Sequence, residues 1–419
     1  MLVVIVLFMP DVVFGQDEEN TPPPEQVHVL EWNGNCDVKY TLFHMHDGSA
    51  AYAMQFPAQK PSTRFLTQYR FEPYLNARYT TSELGFSLKT HALYFSDAAA
   101  SAEIFEAYGR YSPSLNATLQ AGKQVYTWGK GYAFNPVGYI NPLKDPENPE
   151  LARSGLLSAN VEYVTSYDSG SLQNMSLLFV VIPASGTSGG RFGELNQTDL
   201  AFKASVLLWD TDIDLMGYYS GRDARRIGMG FSRNLTANAE VHGELSYSRN
   251  DERFSIVSNT VVPHRMDGVA YLVGFRFLHE SNTTLIAEYY HDALGMSASA
   301  YEAYQHFLAS AARTNDPVIL QRTASATQAY VHSSNLMQEY LYIKLTSPEP
   351  FDWLYFTPSV FAIYNVADKS VMLSASLNYK PANNIEFIIW PTVVTGGGEA
   401  EYGSKAFRQK VECWMRVFF

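Results

Sequence analysis

Apolar and polar residues alternate along most of this chain with a period of two, which a strand turns into two chemically different faces. Over 237–249, Ala237, Ala239, Val241, Leu245 and Tyr247 share one face, and Asn238, Glu240, His242, Glu244, Ser246 and Ser248 share the other. Over 371–380, Val371, Leu373, Ala375, Leu377 and Tyr379 oppose Ser374, Ser376, Asn378 and Lys380. The last ten positions set Val411, Cys413, Met415, Val417 and Phe419 against Lys410, Glu412, Trp414, Arg416 and Phe418. Each segment has roughly the ten residues that a tilted strand needs to cross an apolar layer. Strands are expected near 63–79, 84–95, 103–112, 115–128, 155–167, 172–183, 199–209, 212–221 and 225–234. They continue near 237–249, 267–279, 283–292, 335–347, 352–364, 369–380, 383–396 and 407–419. No helical periodicity supplies a second layer to bury the apolar faces. The physical solution is closure, because in hydrocarbon an open edge leaves backbone groups unpaired.

The links between these segments alternate in length. Short turns lie at 112–114, 168–171, 210–211, 234–236, 280–282 and 381–382, and long connections at 129–154, 184–198, 250–266 and 293–335. With the C-terminus on the short-turn side, all long links fall on the other side, and the strand at 63–79 then needs a partner before it. That partner is expected in 36–55, with Val38–Phe43 as the candidate. The fold class is therefore all-β: a transmembrane, antiparallel, up-and-down barrel of about 18 strands, with 16 as the alternative if the early segment threads the lumen as a plug. Between Ser299 and Arg313 the period changes: Tyr301, Tyr304, Leu308 and Ala311 fall at helical spacing, predicting a short amphipathic helix in the longest outer loop.

Composition agrees with an apolar exterior that no single segment reveals. Hydrophobic residues make up 46% and charged residues 17% of 419 positions, yet the longest apolar run, Leu2–Met9, is too short to span a bilayer as a helix. At the N-terminus that run reads as the core of a signal peptide, residues 1–15, with Val13, Phe14 and Gly15 before the cleavage point. Residues 16–35 read as a flexible acidic and Pro-rich leader, and 36–419 as a single barrel. Cys36 and Cys413 form no disulfide framework, and His44 with His46 lacks a third metal ligand, so neither a metal site nor a cofactor is expected. The net charge of −12 argues against nucleic acid as a partner.

One local sequence stands out. Gly122-Lys-Gln-Val-Tyr-Thr-Trp-Gly-Lys-Gly131 runs into Phe134-Asn-Pro136, Asn141-Pro142 and a Pro-rich stretch from Lys144 to Pro149. It resembles a signature of porin-like outer-membrane barrels of Gram-negative bacteria, in which a Gly-(Lys/Arg)-Gln-x-x-x-Trp-Gly strand leads into an Asn-Pro-rich loop. The resemblance is sharpest over Glu103–Gly155, and the alternation and terminal Phe419 extend it along the chain. It implies location in the cell outer membrane, surrounding outer-membrane lipid, and insertion by the barrel-assembly machinery through the C-terminal strand. It implies passive passage of small hydrophilic solutes, and a homo-oligomer is compatible with it.

Candidate site residues follow from the strand phase. Arg70, Glu72, Glu106, Arg110, Glu240, Glu244, Arg276, Glu288 and Arg416 fall on the inner face, with Gln124 and Trp128 on the same face of the signature strand. Opposed charges across a narrow lumen would order water and screen solutes; the alternative is that they pair and hold the wall together. Lys130, Asn135, Asn141 and Asp145 belong to the Asn-Pro loop, which either folds inward as a constriction or seals the rim. Tyr301 and Tyr304 would narrow the pore or cap it. No Ser and His share a motif with an orienting third group, so no enzyme is expected. A diffusion channel narrowed by inward-folded loops leads, and a scaffold or adhesion barrel using its long loops is the alternative.

Overall fold

The computed structural model describes residues 29–57, 63–150, 152–168, 170–183, 198–220, 224–328 and 335–419. The signal segment 1–15, most of the leader and the 184–197 link lie outside the described residues. Eighteen antiparallel strands form one sheet in which each strand pairs with its neighbours in sequence and the last returns to the first. They are β1 (Val29–Met45), β2 (Phe65–Thr80), β3 (Leu84–Phe95), β4 (Ala98–Tyr111), β5 (Ala117–Gln124) and β6 (Leu156–Ser166). Then come β7 (Leu172–Ile182), β8 (Asp199–Leu208), β9 (Thr211–Tyr219), β10 (Arg225–Thr236), β11 (Ala239–Val257) and β12 (Thr260–Leu278). The wall ends with β13 (Thr284–Asp292), β14 (Glu339–Thr346), β15 (Phe356–Asn365), β16 (Val371–Ala382), β17 (Ile385–Thr395) and β18 (Phe407–Phe418). Closure runs from Asn35 opposite Phe418 to Met45 opposite Phe407, and Gly34 and Phe419 exchange two backbone hydrogen bonds of 3.0 Å beyond it.

The alternation fixes which face is which. On β11, His242, Glu244, Ser246 and Ser248 are buried inside while Leu245 and Tyr247 are exposed outside; on β16, Met372, Ser374 and Ser376 are inside while Leu373 and Leu377 are outside. Outward apolar side chains stay uncovered, as at Val38 (45%), Leu373 (49%) and Val273 (61%). Soluble proteins do not leave a continuous apolar belt in water, because every Å² of it forgoes about 25 cal/mol of burial. Hydrocarbon is the medium that suits such a wall, and a closed ladder leaves it no edge to desolvate. Among the described residues no helix is long and apolar enough to cross a membrane, which says nothing of a crossing by strands.

Three departures from the sequence reading have local causes. β1 is the partner that parity requires, but it begins at Val29, inside the stretch expected to be leader. Its polar residues face inward, where the Asn76 amide donates to Asn33 Oδ1 at 2.9 Å. The expected 250–266 loop is instead a continuation of β11 and β12, which pair up to Val257 opposite Thr260. The hairpin turns at Ser258 and Asn259, both with positive φ, as a two-residue turn matched to strand twist requires. The signature strand ends at Gln124 rather than 128, and residues 125–155 leave the wall.

The outer loops add helices α1 (Ala50–Gln55), α2 (Ala298–Thr314) and α3 (Pro317–Gln328). Ser297 caps α2 by accepting from the Ala300 amide at 3.3 Å, and Asn315 ends it in the left-handed region. Asp316 accepts from Val318 at 2.8 Å ahead of Pro317, a favourable first-turn residue, and so starts α3. The apolar face of α2 buries Tyr301, Tyr304, Phe307, Leu308 and Ala311 against the β11–β12 ribbon and the other loops. The helix predicted at 299–313 is thus present, and α1 and α3 join it over the outer mouth.

Candidate functional site

Residues 125–155 cross the barrel interior. From β5 the chain passes the inner faces of β7 and β9, where Tyr126, Trp128, Val137, Tyr139 and Ile140 pack with Val180, Met216 and Tyr218. Further on, Ala133 and Phe134 join a cluster with Leu272, Tyr340 and Tyr342, and Phe134 stacks on Tyr290 at 4.6 Å and 6°. The far arm reaches the opposite wall, with Glu147 paired to Lys410 on β18 and Glu150 3.7 Å from Lys344 on β14.

Two wall carboxylates hold this segment by its backbone. Glu244 on β11 accepts from the amides of Lys130, Gly131 (2.6 Å) and Val137 (3.4 Å). Glu288 on β13 accepts from the amides of Tyr132 and Ala133 (2.8 Å), and lies 3.1 Å from His242 Nε2. Both side chains are buried, at 4% and 1% exposure. A buried carboxylate is tolerated only where donors surround it, and successive backbone N–H groups in a turn form such a concavity. Gly129 makes the turn feasible: its φ is +96°, and a Cβ there would overlap Asn135 Oδ1 and come within 2.7 Å of Glu244 Oε1. Asn141 clamps Trp128, accepting from its N–H at 2.9 Å and donating to its carbonyl at 2.8 Å, and Asn135 donates to the same carbonyl. Lys144 donates to the Gly131 carbonyl; burial lowers its pKa below the usual lysine value, partly offset by the carboxylates of Glu288 and Glu244. Burial also pushes the Tyr139 phenol up to about 12, so it stays neutral where its hydroxyl meets Ser246 at 2.9 Å.

The expected site residues divide by partner. Glu72 is buried against Lys39 at 2.9 Å, Glu106 pairs with Lys89, and Arg416 grips Asp37 through two bonds of 2.8 Å. Glu240 and Arg276 face each other across the ladder at 3.9 Å, a loose pair. Arg110 lies inside beside Gly85. Arg70 sits over the Phe95 ring at 5.0 Å and has no carboxylate within ion-pair distance among the described residues. Gln124 ends β5 hydrogen-bonded to Ser158 and Asn160 at 3.0 Å each. Trp128, expected on the wall, belongs to the crossing segment: its backbone bonds go to Asn135 and Asn141, which takes it out of the ladder. In the same segment Lys130 reaches Asp214 at 3.3 Å and Asp145 lies 3.7 Å from Arg153. Tyr301 and Tyr304 pack in the outer cover; the Tyr301 hydroxyl meets Ser404 at 3.1 Å. Sequence reasoning missed Asp37, Lys39, Lys144, Glu147 and Lys410. Asp37, Lys39 and Lys410 obey the same inward phase and were findable; Lys144 and Glu147 lie in a loop where no phase exists.

Among the described residues, three spaces border the crossing segment. One of about 600 Å³ lies between its far arm and the wall of β1–β4, β17 and β18, bordered by Arg70, Glu103, Asp145, Arg153, Trp390 and Trp414. A second of about 390 Å³ lies between its two arms near Lys89 and Trp128, and a third of about 220 Å³ on the β12–β13 side near Phe134 and Arg253.

With that geometry in view, the barrel is similar to the crystal structure of OccK8 (OprE) of Pseudomonas aeruginosa, at 9% identity over 93% of this chain and 98% of that one, with a TM-score of 0.54. The likeness is one of fold. OccD3 (OpdP) of the same organism matches at 11% identity over 93% and 91% of the two chains, with a TM-score of 0.50. A variant of the Rhodopseudomonas blastica porin matches at 9% identity over 93% of this chain and 100% of that one, with a TM-score of 0.45. No family model matches the sequence, and no curated protein does.

Proposed function

We propose that this chain is a porin-like channel of the Gram-negative outer membrane, passing small hydrophilic solutes by passive diffusion through a lumen narrowed by residues 125–155. The observation that carries the reading is the backbone grip of Glu244 and Glu288 on that segment. A wall that commits two buried carboxylates to holding a loop across its own lumen is built to restrict passage, which an adhesion scaffold does not need. A barrel of this strand number is wide enough for an aqueous lumen, and the space of about 600 Å³ keeps polar and charged groups of both signs within reach. On this reading Arg70, Glu103 and Arg153 meet the solute, whereas Glu72 and Arg416 are in structural ion pairs and Glu244 and Glu288 anchor the crossing segment by its amides. Mixed charge predicts weak ion selectivity. Outer-membrane lipid surrounds the belt, and β18 with its terminal Phe419 is the segment presented to the assembly machinery. Single-channel recording in planar lipid tests the proposal: small, steady conductance steps support it. Silence in repeated reconstitutions of protein shown to be folded overturns it in favour of a scaffold.

A further inference from the structure

The wall has one irregular seam, between β2, β3 and β4. The β2–β3 ladder pairs Arg70 with Phe95 and Phe71 with Tyr94, then resumes only at Tyr74 with His91. Pro73 sits in the gap and brings no N–H to it. The β3–β4 ladder shifts register twice nearby, between Lys89 and Thr90 and between Leu93 and Phe95. On its other side β4 pairs with β5 only from Ala107 to Tyr111, so Ala98–Glu106 has no backbone ladder to β5 (Glu103 reaches Lys123 by its side chain at 3.1 Å, and the Phe105 carbonyl accepts from Gly155 at 2.8 Å), and Ala98 through Ile104 are exposed at every position.

Cavities lie on both sides of this seam. Outside, facing lipid, Pro73, Thr90, Ala92 and Ala102 form the floor of an apolar groove of about 390 Å³ walled by Leu75, Ile104 and Phe419. Inside is the polar space of about 600 Å³ that holds Arg70. Tyr74, His91 and Glu103 border both, so the barrier between them is a single strand thick. The His91 ring is stacked on Tyr74 at 4.5 Å and against Phe105 at 4.8 Å. Its buried Nε2 makes no hydrogen bond and lies 3.7 Å from Glu72.

We propose that this seam is a lateral portal for a single-chain amphiphile with an anionic head, whose tail lies in the outer groove and whose head enters the lumen toward Arg70. The occupant follows from the two environments. A hydrocarbon chain suits the small-residue floor on the lipid side, and Arg70 is a lumen cation without a carboxylate partner among the described residues. A ladder already missing hydrogen bonds opens at lower cost than a continuous one. Entry is through the wall rather than along the axis, although the head ends in the same polar space around Arg70 that hydrophilic solutes are proposed to cross.

The test uses the full barrel in lipid nanodiscs and a fluorescent long-chain polyene fatty acid as probe. Two variants act on the lipid-facing side only: Ala92→Trp, which fills the groove, and Pro73→Cys with Ala92→Cys, which staples β2 to β3. The staple is made in a background carrying Cys36→Ser and Cys413→Ser. Saturable binding by the parent, weakened about tenfold or more by Ala92→Trp and by the oxidised staple and restored on reduction, supports the portal. Single-channel conductance is expected to be unchanged in both. Absence of saturable binding by the parent, or binding unaffected by either variant, overturns it. Binding lost together with conductance also overturns it, since the probe would then enter along the axis or depend on the barrel as a whole rather than on the groove. A barrel that binds the probe but conducts nothing keeps the portal and refutes the channel.

Discussion

Removing the wall's grip on the crossing segment is the sharpest test of how this lumen is restricted. In the double variant Glu244→Ala/Glu288→Ala, the amides of Lys130, Gly131, Tyr132 and Ala133 lose their acceptors together, and the weaker contact from Val137 goes too. Hydrogen bonds to a charged group contribute about 1.5–3 kcal/mol each in a buried setting. Water entering the lumen replaces part of this, so about 1 kcal/mol per amide is a fair residue, or roughly 4 kcal/mol over four. That shifts the balance between seated and released segment by about a thousandfold. The packing of Trp128, Val137 and Phe134 opposes release but has no directional hold on the turn at 130–133. Planar-lipid recording should show larger or flickering conductance steps, and limited proteolysis should cut within 125–155. Glu288→Gln, which retains one acceptor and adds a donor facing the same amides, should give an intermediate effect. Conductance steps and cleavage identical to those of the unaltered protein would refute the claim that these carboxylates set the aperture.

Three further outcomes follow. Asp37 is wholly buried and holds Arg416 across the closing seam, so Asp37→Ala should destabilise the barrel by about 3–5 kcal/mol; the check is a lowered denaturation midpoint, read by the heat-dependent gel shift. Deleting Ser299–Arg313 removes the apolar face that covers the outer mouth and should raise access of large solutes in liposome-swelling assays; unchanged access makes the helix ornamental. Glu401, in the outer loop before β18, accepts from Leu336 N, Tyr340 Oη (2.7 Å) and Asn365 Nδ2 (2.7 Å), and burial raises its pKa above the usual glutamate value. The folded cover therefore binds this proton more tightly than the unfolded chain does. Its stabilisation is full below the ordinary glutamate range and is lost as pH rises through the elevated value. Hydrogen exchange at Leu336 and Met337, corrected for intrinsic rate, should rise over that window and become flat in Glu401→Gln.

The wall was legible because it solves one problem eighteen times: each strand must show hydrocarbon one face and the interior the other, so β3 or β16 can be read from its own residues. Legibility fails wherever that demand lapses. Beyond Asn250 the β11–β12 ribbon rises above the apolar layer, and Glu252, Arg253 and Arg265 no longer alternate, although Ser258 and Asn259 still carry the turn. The 29–35 part of β1 looks like leader because Glu31, Asn33 and Asn35 dominate it, yet they occupy inward positions. The crossing segment is the deeper case. Its Gly and Asn-Pro sites announce a stiff loop but not a direction, because Glu244 and Glu288 look in sequence like any other inward carboxylate. What distinguishes them is five amide donors that lie more than a hundred residues away.

That distinction divides the barrel by function. On the β11–β14 side the inner wall is consumed in anchoring, with Glu244, Glu288, Tyr340 and Tyr342 buried under the crossing segment. On the β1–β4 and β17–β18 side a polar space survives, and Arg70, Glu103 and Arg153 line it. Perturbations should therefore separate into two kinds. Arg70→Glu moves two charges within the open space and should shift reversal potential toward cations in a salt gradient while leaving the conductance step nearly unchanged, because no anchor is touched. Glu244→Gln should do the opposite, altering step size with little change in reversal potential, since its charge is shielded by the amides around it. If Arg70→Glu leaves selectivity untouched while Glu244→Gln shifts it, solute passes on the anchoring side, and the assignment of wall and path must be exchanged.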